Sequence, residues 1–357
     1  MTTPNIFDFA KSELSQDAVL AYMLKWADPI HAHEKETRAM HNLGKDFLRT
    51  LLDCTRKGLP KRMRFKKISV EGQMKTRKIP EKKGPGIVDV QVEVNDSICL
   101  LIEDKVFAER HGEQIKRYTK YADTECKDVR PIYLKTGNES PHTRRPTENI
   151  CFERNGGYFY RKDLLRVLNR HTKTGIRFIN DFRLHLQKME DATQNFLGIP
   201  VDKWDWNEYE GYYIALENTQ GMDCNGWGSV SRAGTHAFWT SGHENTKRVK
   251  CGVYLQIDPD HSVSIRCAAR PADGKTKVTP ALREYMFGKA ETRLSKFRGM
   301  RLEWWGKVGK TAGIAKVHFI PKKGGAYMVL NGNGTVNFPR TVNRLKKAVR
   351  LVEAVSK

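Results

Sequence analysis

Asp89, Glu103 and Lys105 are the residues of this chain whose types and spacing point most directly to chemistry. Two carboxylates and an ammonium held together would place a divalent cation and a water beside an electrophile. Two segments must bring them there, Ile87-Val-Asp-Val-Gln-Val-Glu-Val94 and Ile98-Cys-Leu-Leu-Ile-Glu-Asp-Lys105. In the first, Val88, Val90, Val92 and Val94 alternate with Asp89, Gln91 and Glu93, the period of a strand with one apolar face. In the second, Ile98, Leu100 and Ile102 share one face, and Cys99, Leu101, Glu103 and Lys105 share the other. Residues facing each other across a hairpin must lie on the same side, so loop length selects the register. A two-residue loop would set Asp89 against Ile102 and mix the faces. The three-residue loop Asn95-Asp96-Ser97 pairs Val94 with Ile98, Val92 with Leu100 and Val90 with Ile102, and sets Asp89 across from Glu103 and Ile87 across from Lys105.

Carboxylates this close repel unless a proton or a cation sits between them. Mg²⁺ or Mn²⁺ is the expected cation, because both take oxygen ligands and Mg²⁺ retains waters. Lys105 would orient a water or stabilise developing negative charge. The competing reading is a surface ion pair worth about 0–1 kcal/mol. Against it, the second segment is apolar on both faces, which marks a buried central strand. Charges at its end need a reason.

These residues resemble the PD-(D/E)XK nuclease superfamily. Asp89 stands at the PD position, with Val88 in place of the usual proline, and Glu103-Asp104-Lys105 matches (D/E)XK. Glu113-Gln-Ile-Lys-Arg-Tyr-Thr-Lys-Tyr121 looks like the Gln-x-x-x-Tyr helix of many members, and Phe7 to Ala18 resembles the opening helix of one bacterial branch, in which Glu13 is the matching glutamate. The resemblance implies Asp89, Glu103 and the main-chain carbonyl of Asp104 as metal ligands, Lys105 as the water-positioning residue, and Gln114 and Glu13 as completing the shell. It covers roughly the first two hundred residues and implies a restriction-endonuclease-like α/β core, a mixed sheet flanked by helices. On the Gln helix, Gln114, Arg117, Tyr118 and Tyr121 share one face, which would suit phosphate contact or a tyrosine-edged core equally. Glu13 beside Ser12 also fits a helix cap.

The charge balance agrees with a polyanionic partner: Lys+Arg 63 against Asp+Glu 41, net +22. A basic run through Lys61, Arg62, Arg64, Lys66, Lys67, Lys75, Arg77, Lys78, Lys82 and Lys83 precedes the hairpin, and Lys66 and Lys67 are read as nucleic-acid contacts beside the metal site. A solvated basic face is the alternative. The expected reaction is metal-dependent hydrolysis of nucleic acid, DNA rather than RNA; the alternative is a non-catalytic nucleic-acid-binding or regulatory module on the same scaffold. A homodimer is compatible with the sequence, and no residue decides it.

The remaining features set bounds. The start shows no signal-peptide pattern and no segment is apolar enough to span a membrane, so a cytoplasmic protein is expected. Seven scattered cysteines without a C-x-x-C pair argue against a zinc site or disulfide framework. Gly309-Lys310-Thr311 lacks the first glycine of a P-loop, since position 304 is Trp. His31-x-His33 has no third ligand in view. Length and Gly198-Ile-Pro200 divide the chain into a 1–200 nuclease-like domain and a 201–357 α+β domain, in which Trp204, Trp206, Tyr209, Tyr212 and Tyr213 are read as core rather than base-stacking. Thr136 to Asn149 reads as a surface loop, and Ala326 to Leu330 as a strand.

Overall fold

The computed structural model of the protein describes residues 5–8, 13–33, 35–75, 87–106, 115, 128–229, 236–245, 251–258, 260, 262–269, 277–306, 309, 311–320 and 326–357. It divides into two compact units, residues 1–139 with 143–191, and residues 140–142 with 192–357.

The first unit is an α/β layer. Its elements are α1 (Glu13–Lys25), α2 (Arg38–Asp53), β1 (Ile68–Lys75), β2 (Ile87–Val94), β3 (Ile98–Lys105), β4 (Asp128–Lys135), α3 (Pro141–Glu153), β5 (Gly157–Tyr160), α4 (Arg161–Arg170) and α5 (Arg177–Asn195), the last running across the division. The five strands lie in sequence order. β1, β2 and β3 are antiparallel, while β3, β4 and β5 are parallel, so the sheet is mixed. All eight residues of β3 are buried, the condition of a strand covered on both faces. Val90, Val92, Val94, Leu100 and Ile102 pack with Leu20, Met23 and Leu24 of α1 and with Phe47, Leu48 and Leu51 of α2.

The hairpin register is the one expected from alternation: Val94 pairs with Ile98, Val92 with Leu100 and Val90 with Ile102. Asn95 and Asp96 take left-handed backbone at φ 55° and 53°, conformations that short polar residues tolerate. The ladder stops at Val90–Ile102, so the expected Asp89–Glu103 and Ile87–Lys105 pairs are not part of it. Instead the Asp89 carboxylate takes the Asp104 N–H at 2.9 Å. Beyond that point Val88 leaves the helix-side stripe and packs with Cys99, Leu101 and Val129. A side-chain acceptor takes that N–H, while β2 keeps its pairing with β1 through Ile87.

Residues 141–153, expected to be largely loop, form α3. Pro141 opens the helix where no intrahelical N–H is needed, and only Thr147 and Cys151 are buried, so an apolar stripe that would reveal a helix is missing.

The second unit is α+β: α6 (Trp206–Glu217), β6 (Cys224–Ser229), β7 (His236–Thr240), β8 (His243–Asn245), β9 (Cys251–Ile257), β10 (Val263–Ala269), α7 (Pro280–Leu294), β11 (Met300–Trp304), β12 (Thr311–Phe319) and α8 (Phe338–Ser356). Its antiparallel sheet runs β11-β12-β10-β9-β7-β6, with β8 on β9. Trp204, Tyr212 and Tyr213 are core, with Trp206 and Tyr209 packed on them. The expected strand at 326–330 reduces to a single bridge, Leu330 to Val336. Among the described residues no helix is long and apolar enough to cross a membrane.

Gly44 lets α2 approach α1, because a Cβ there would lie 2.4 Å from the Met23 carbonyl oxygen. Gly44→Ala should therefore destabilise the first unit by about 1–3 kcal/mol. The check is a shift in the urea midpoint of the full chain; an unshifted midpoint would show that the helices separate freely.

Candidate metal centre

The end of β3 gathers the charged groups. Glu103, Asp104 and Lys105 are only 2 %, 0 % and 6 % exposed, so each needs a polar partner inside the fold. The Lys105 ammonium supplies it for three oxygens. Its Nζ lies 2.8 Å from Glu103 Oε1, 3.5 Å from Asp89 Oδ2 and 2.7 Å from the Asp104 carbonyl oxygen. These belong to the three residues that the family resemblance implies as metal ligands. Here they already converge on one positive charge.

The middle residue of the triplet divides its polar atoms. Its carbonyl turns to Lys105, and its carboxylate turns to the helix layer, where Gln16 Nε2 donates to Asp104 Oδ1 at 2.6 Å. Gln16 also accepts from Thr136 Oγ1 at 3.0 Å, and the Thr136 N–H donates to the Lys105 carbonyl at 3.1 Å. One glutamine of α1 thus ties the end of β3 to the residue that follows β4. Asp17, beside it, accepts from Gln73 of β1 at 2.6 Å and shares a hydrogen bond with Asp104. Both polar residues fall on the helix stripe that continues as Leu20, Met23 and Leu24. A polar pair on an otherwise apolar stripe is the signal in the sequence that could have found them. Lys135 was also missed; it is 2 % exposed and lies in register beside Lys105 across the parallel pair.

Burial sets the titration of these groups. It pushes the Glu103 carboxyl up to about 7, with the Asp89 charge adding to the rise and Lys105 opposing it. Burial first, and Asp17 second, hold the Asp104 carboxyl well above the usual carboxylate range.

The donor set suits a hard divalent cation. It comprises two carboxylates and a carbonyl, and the buried Glu103 Oε2 has no hydrogen-bond partner among the described residues. No group of three or more His, Cys, Asp and Glu forms a metal cage among the described residues; the set here has two acids completed by main chain.

Other sequence candidates fall elsewhere. Glu13 opens α1, and its side chain lies outside the described residues, as do Gln114, Arg117 and Tyr118. Lys66 and Lys67 do not flank the centre. They lead into β1 beside the hairpin turn, where both N–H groups donate to Asn95 Oδ1 and Lys67 pairs with Asp96 at 2.9 Å. The turn is at the opposite end of β2 from Asp89, about 17 Å away at roughly 3.4 Å per residue.

Two measurements check this arrangement. Gln16→Ala strands a buried Asp104 oxygen and should cost about 1–3 kcal/mol in chemical denaturation. In EDTA, folded Glu103 holds its proton up to about pH 7 against an ordinary value of 4.5, so folding takes up a proton in that window. The contribution of Glu103 is fully present below the lower value and is lost as pH rises through the upper one. Stability relative to Glu103→Gln should fall across that range; a constant difference would show a normally titrating Glu103.

Residues 4–184 match the family model of the PD-(D/E)XK nuclease superfamily. No curated protein and no solved structure matches the chain. The matched span is just over half of the sequence and contains the whole β2–β3 hairpin with its convergent acids and lysine. The chain belongs to the PD-(D/E)XK nuclease superfamily.

Proposed function

We propose that the protein is a metal-dependent nuclease that hydrolyses phosphodiester bonds in DNA, using Mg²⁺ or Mn²⁺ at the end of β3. The observation that carries this reading is the convergence of Asp89, Glu103 and the Asp104 carbonyl on a single cationic group. A bound cation would polarise the phosphate and lower the pKa of a water. Asp89, Glu103 and the Asp104 carbonyl would hold that cation. The Lys105 ammonium orients the attacking water and faces the negative charge that develops on the phosphate. The family resemblance would add Gln114 and Glu13 to the shell and assign phosphate contacts to Arg117 and Tyr118.

The net charge of +22 supports capture of a polyanion, with affinity falling steeply as salt rises. Lys66 and Lys67 serve as contacts to phosphates distant from the scissile one, Lys67 weakened by its pairing with Asp96.

The test is cleavage of circular and linear, single- and double-stranded DNA with and without Mg²⁺ or Mn²⁺, with RNA alongside. Asp89→Asn, Glu103→Gln and Lys105→Ala should each lower the rate by about 100-fold or more. Failure to cut any of these substrates, or a Lys105→Ala protein that cuts as well as the parent, overturns the assignment. A non-catalytic binder would hold DNA equally in EDTA, and Asp89→Ala would leave it unchanged.

A further inference from the structure

The sheet of the second unit has two unlike faces. Along β9, Val253, Leu255 and Ile257 point into the core with Ile265 and Cys267 of β10. The alternate residues Gly252, Tyr254 and Gln256 therefore belong to the other face. On that face Tyr254 and Gln256, Trp239 and Thr240 of β7, and Ala268 of β10 line a groove of roughly 300 Å³. Its floor includes the bare backbone of Gly242 and Gly252, where a Cβ on Gly242 would come within 3.8 Å of the Gly252 Cα. Trp239 and Tyr254 are both partly buried, and the Trp239 ring lies against Gly226, where a Cβ would come within 3.1 Å of it. The groove is thus lined by two aromatic side chains together with small and polar residues.

Positive charge lies to one side. Arg266 stands directly across from Tyr254 in the β9–β10 ladder. Its guanidinium carbon is 5.9 Å from the Trp305 ring centroid, and Lys316 Nζ is 5.3 Å from the same centroid. Arg266 Nη2 reaches Thr311 Oγ1 only at 3.5 Å, and its buried Nε has no hydrogen-bond partner among the described residues. A carboxylate lies at the opposite end, since Gln256 Nε2 donates to Asp258 Oδ1 at 2.7 Å. An anionic chain would therefore run toward Arg266 and Lys316 and away from Asp258.

We propose that this sheet face binds single-stranded nucleic acid, with an unpaired base against Trp239 and Tyr254 and the adjoining phosphates at Arg266 and Lys316. Flat rings beside guanidinium and ammonium groups are the chemistry that recognises a base with its phosphate. In a duplex both base faces are covered by neighbours, so only an unstacked base enters such a groove. The proposal does not depend on the metal centre and is tested without divalent ions.

The experiment measures binding to the full chain carrying Asp89→Asn, in EDTA, by fluorescence anisotropy. The probes are a labelled oligothymidylate, an abasic strand of the same length and charge, a blunt duplex, and an oligouridylate to compare RNA with DNA. The oligothymidylate should bind at least about ten-fold more tightly than the abasic strand, within the range of one stacked base. Tyr254→Leu and Trp239→Leu should remove that preference, while Tyr254→Phe retains it. Unchanged affinity for the abasic strand in these variants shows that they remain folded. Arg266→Ala should weaken binding of both strands and lower the salt slope by about one phosphate contact. Equal affinity for thymidylate and abasic strands, tighter binding of the duplex, or a base preference that survives Tyr254→Leu overturns the proposal. These outcomes are independent of cleavage, so a failed nuclease assay and a failed base-binding assay can be told apart.

Discussion

The Lys105 ammonium and the three oxygens around it are the interaction on which the first unit depends. They sit at the end of a strand whose eight residues are all buried, where water cannot solvate an uncompensated charge. Removing one member of such a cluster typically costs about 3–5 kcal/mol, because the others are left charged in a poor solvent. The cluster is also unbalanced. Asp89 and Glu103 face Lys105, with Lys135 beside it on β4, while Asp17 and the Asp104 carboxylate add negative charge from the helix side, and burial holds the Glu103 and Asp104 carboxyls above their usual range. A surface ion pair would show neither the burial nor the raised carboxyls. Excess acid held by a rigid strand is the electrostatic condition that the proposed cation would relieve.

Rigidity comes from what lies behind the strand. Gln16 and Asp17 hold the Asp104 side chain from the helix layer, and Gly44 lets α2 pack close enough to fix α1. The Asp104 carbonyl can face Lys105 because its own carboxylate is engaged on the other side. Geometry at the centre thus rests on hydrogen bonds that a ligand would not touch.

Much of this was legible in the sequence, for a physical reason. Strand alternation has a period of two, so one consistent choice of loop length fixes every facing pair, and the Val94–Ile98 register followed from it. What alternation cannot show is where a ladder ends. Asp89 takes the Asp104 N–H in place of a main-chain acceptor, and Val88 changes sides at that point. Nor does a strand pattern show what a helix side chain reaches across the layer, which is why Gln16 and Asp17 were passed over in favour of Glu13. The α3 helix was read as loop because its exposed faces carry no apolar stripe. In the second unit Trp204, Tyr212 and Tyr213 are core, whereas Trp239 and Tyr254 are only partly buried on the other face of the same sheet. Aromatic residues alone do not separate these cases; their strand partners do.

The two proposed sites also differ in the range of the forces they use. A net charge of +22 acts over a Debye length of about 8–10 Å and attracts any polyanion, so it raises encounter rates without choosing between strands or structures. Lys66 and Lys67 belong to this class, since they stand at the far end of β2 from Asp89 and one of them already pairs with Asp96. Discrimination has to come from contacts that fail when displaced by an ångström. At the proposed metal centre those are oxygens held around one ammonium at the end of β3, and at the proposed groove they are aromatic rings near an arginine whose Nε has no hydrogen-bond partner among the described residues. As proposed, the first set would be blind to base identity because it would address only the phosphate. The second would be blind to the scissile bond because it would address only the base.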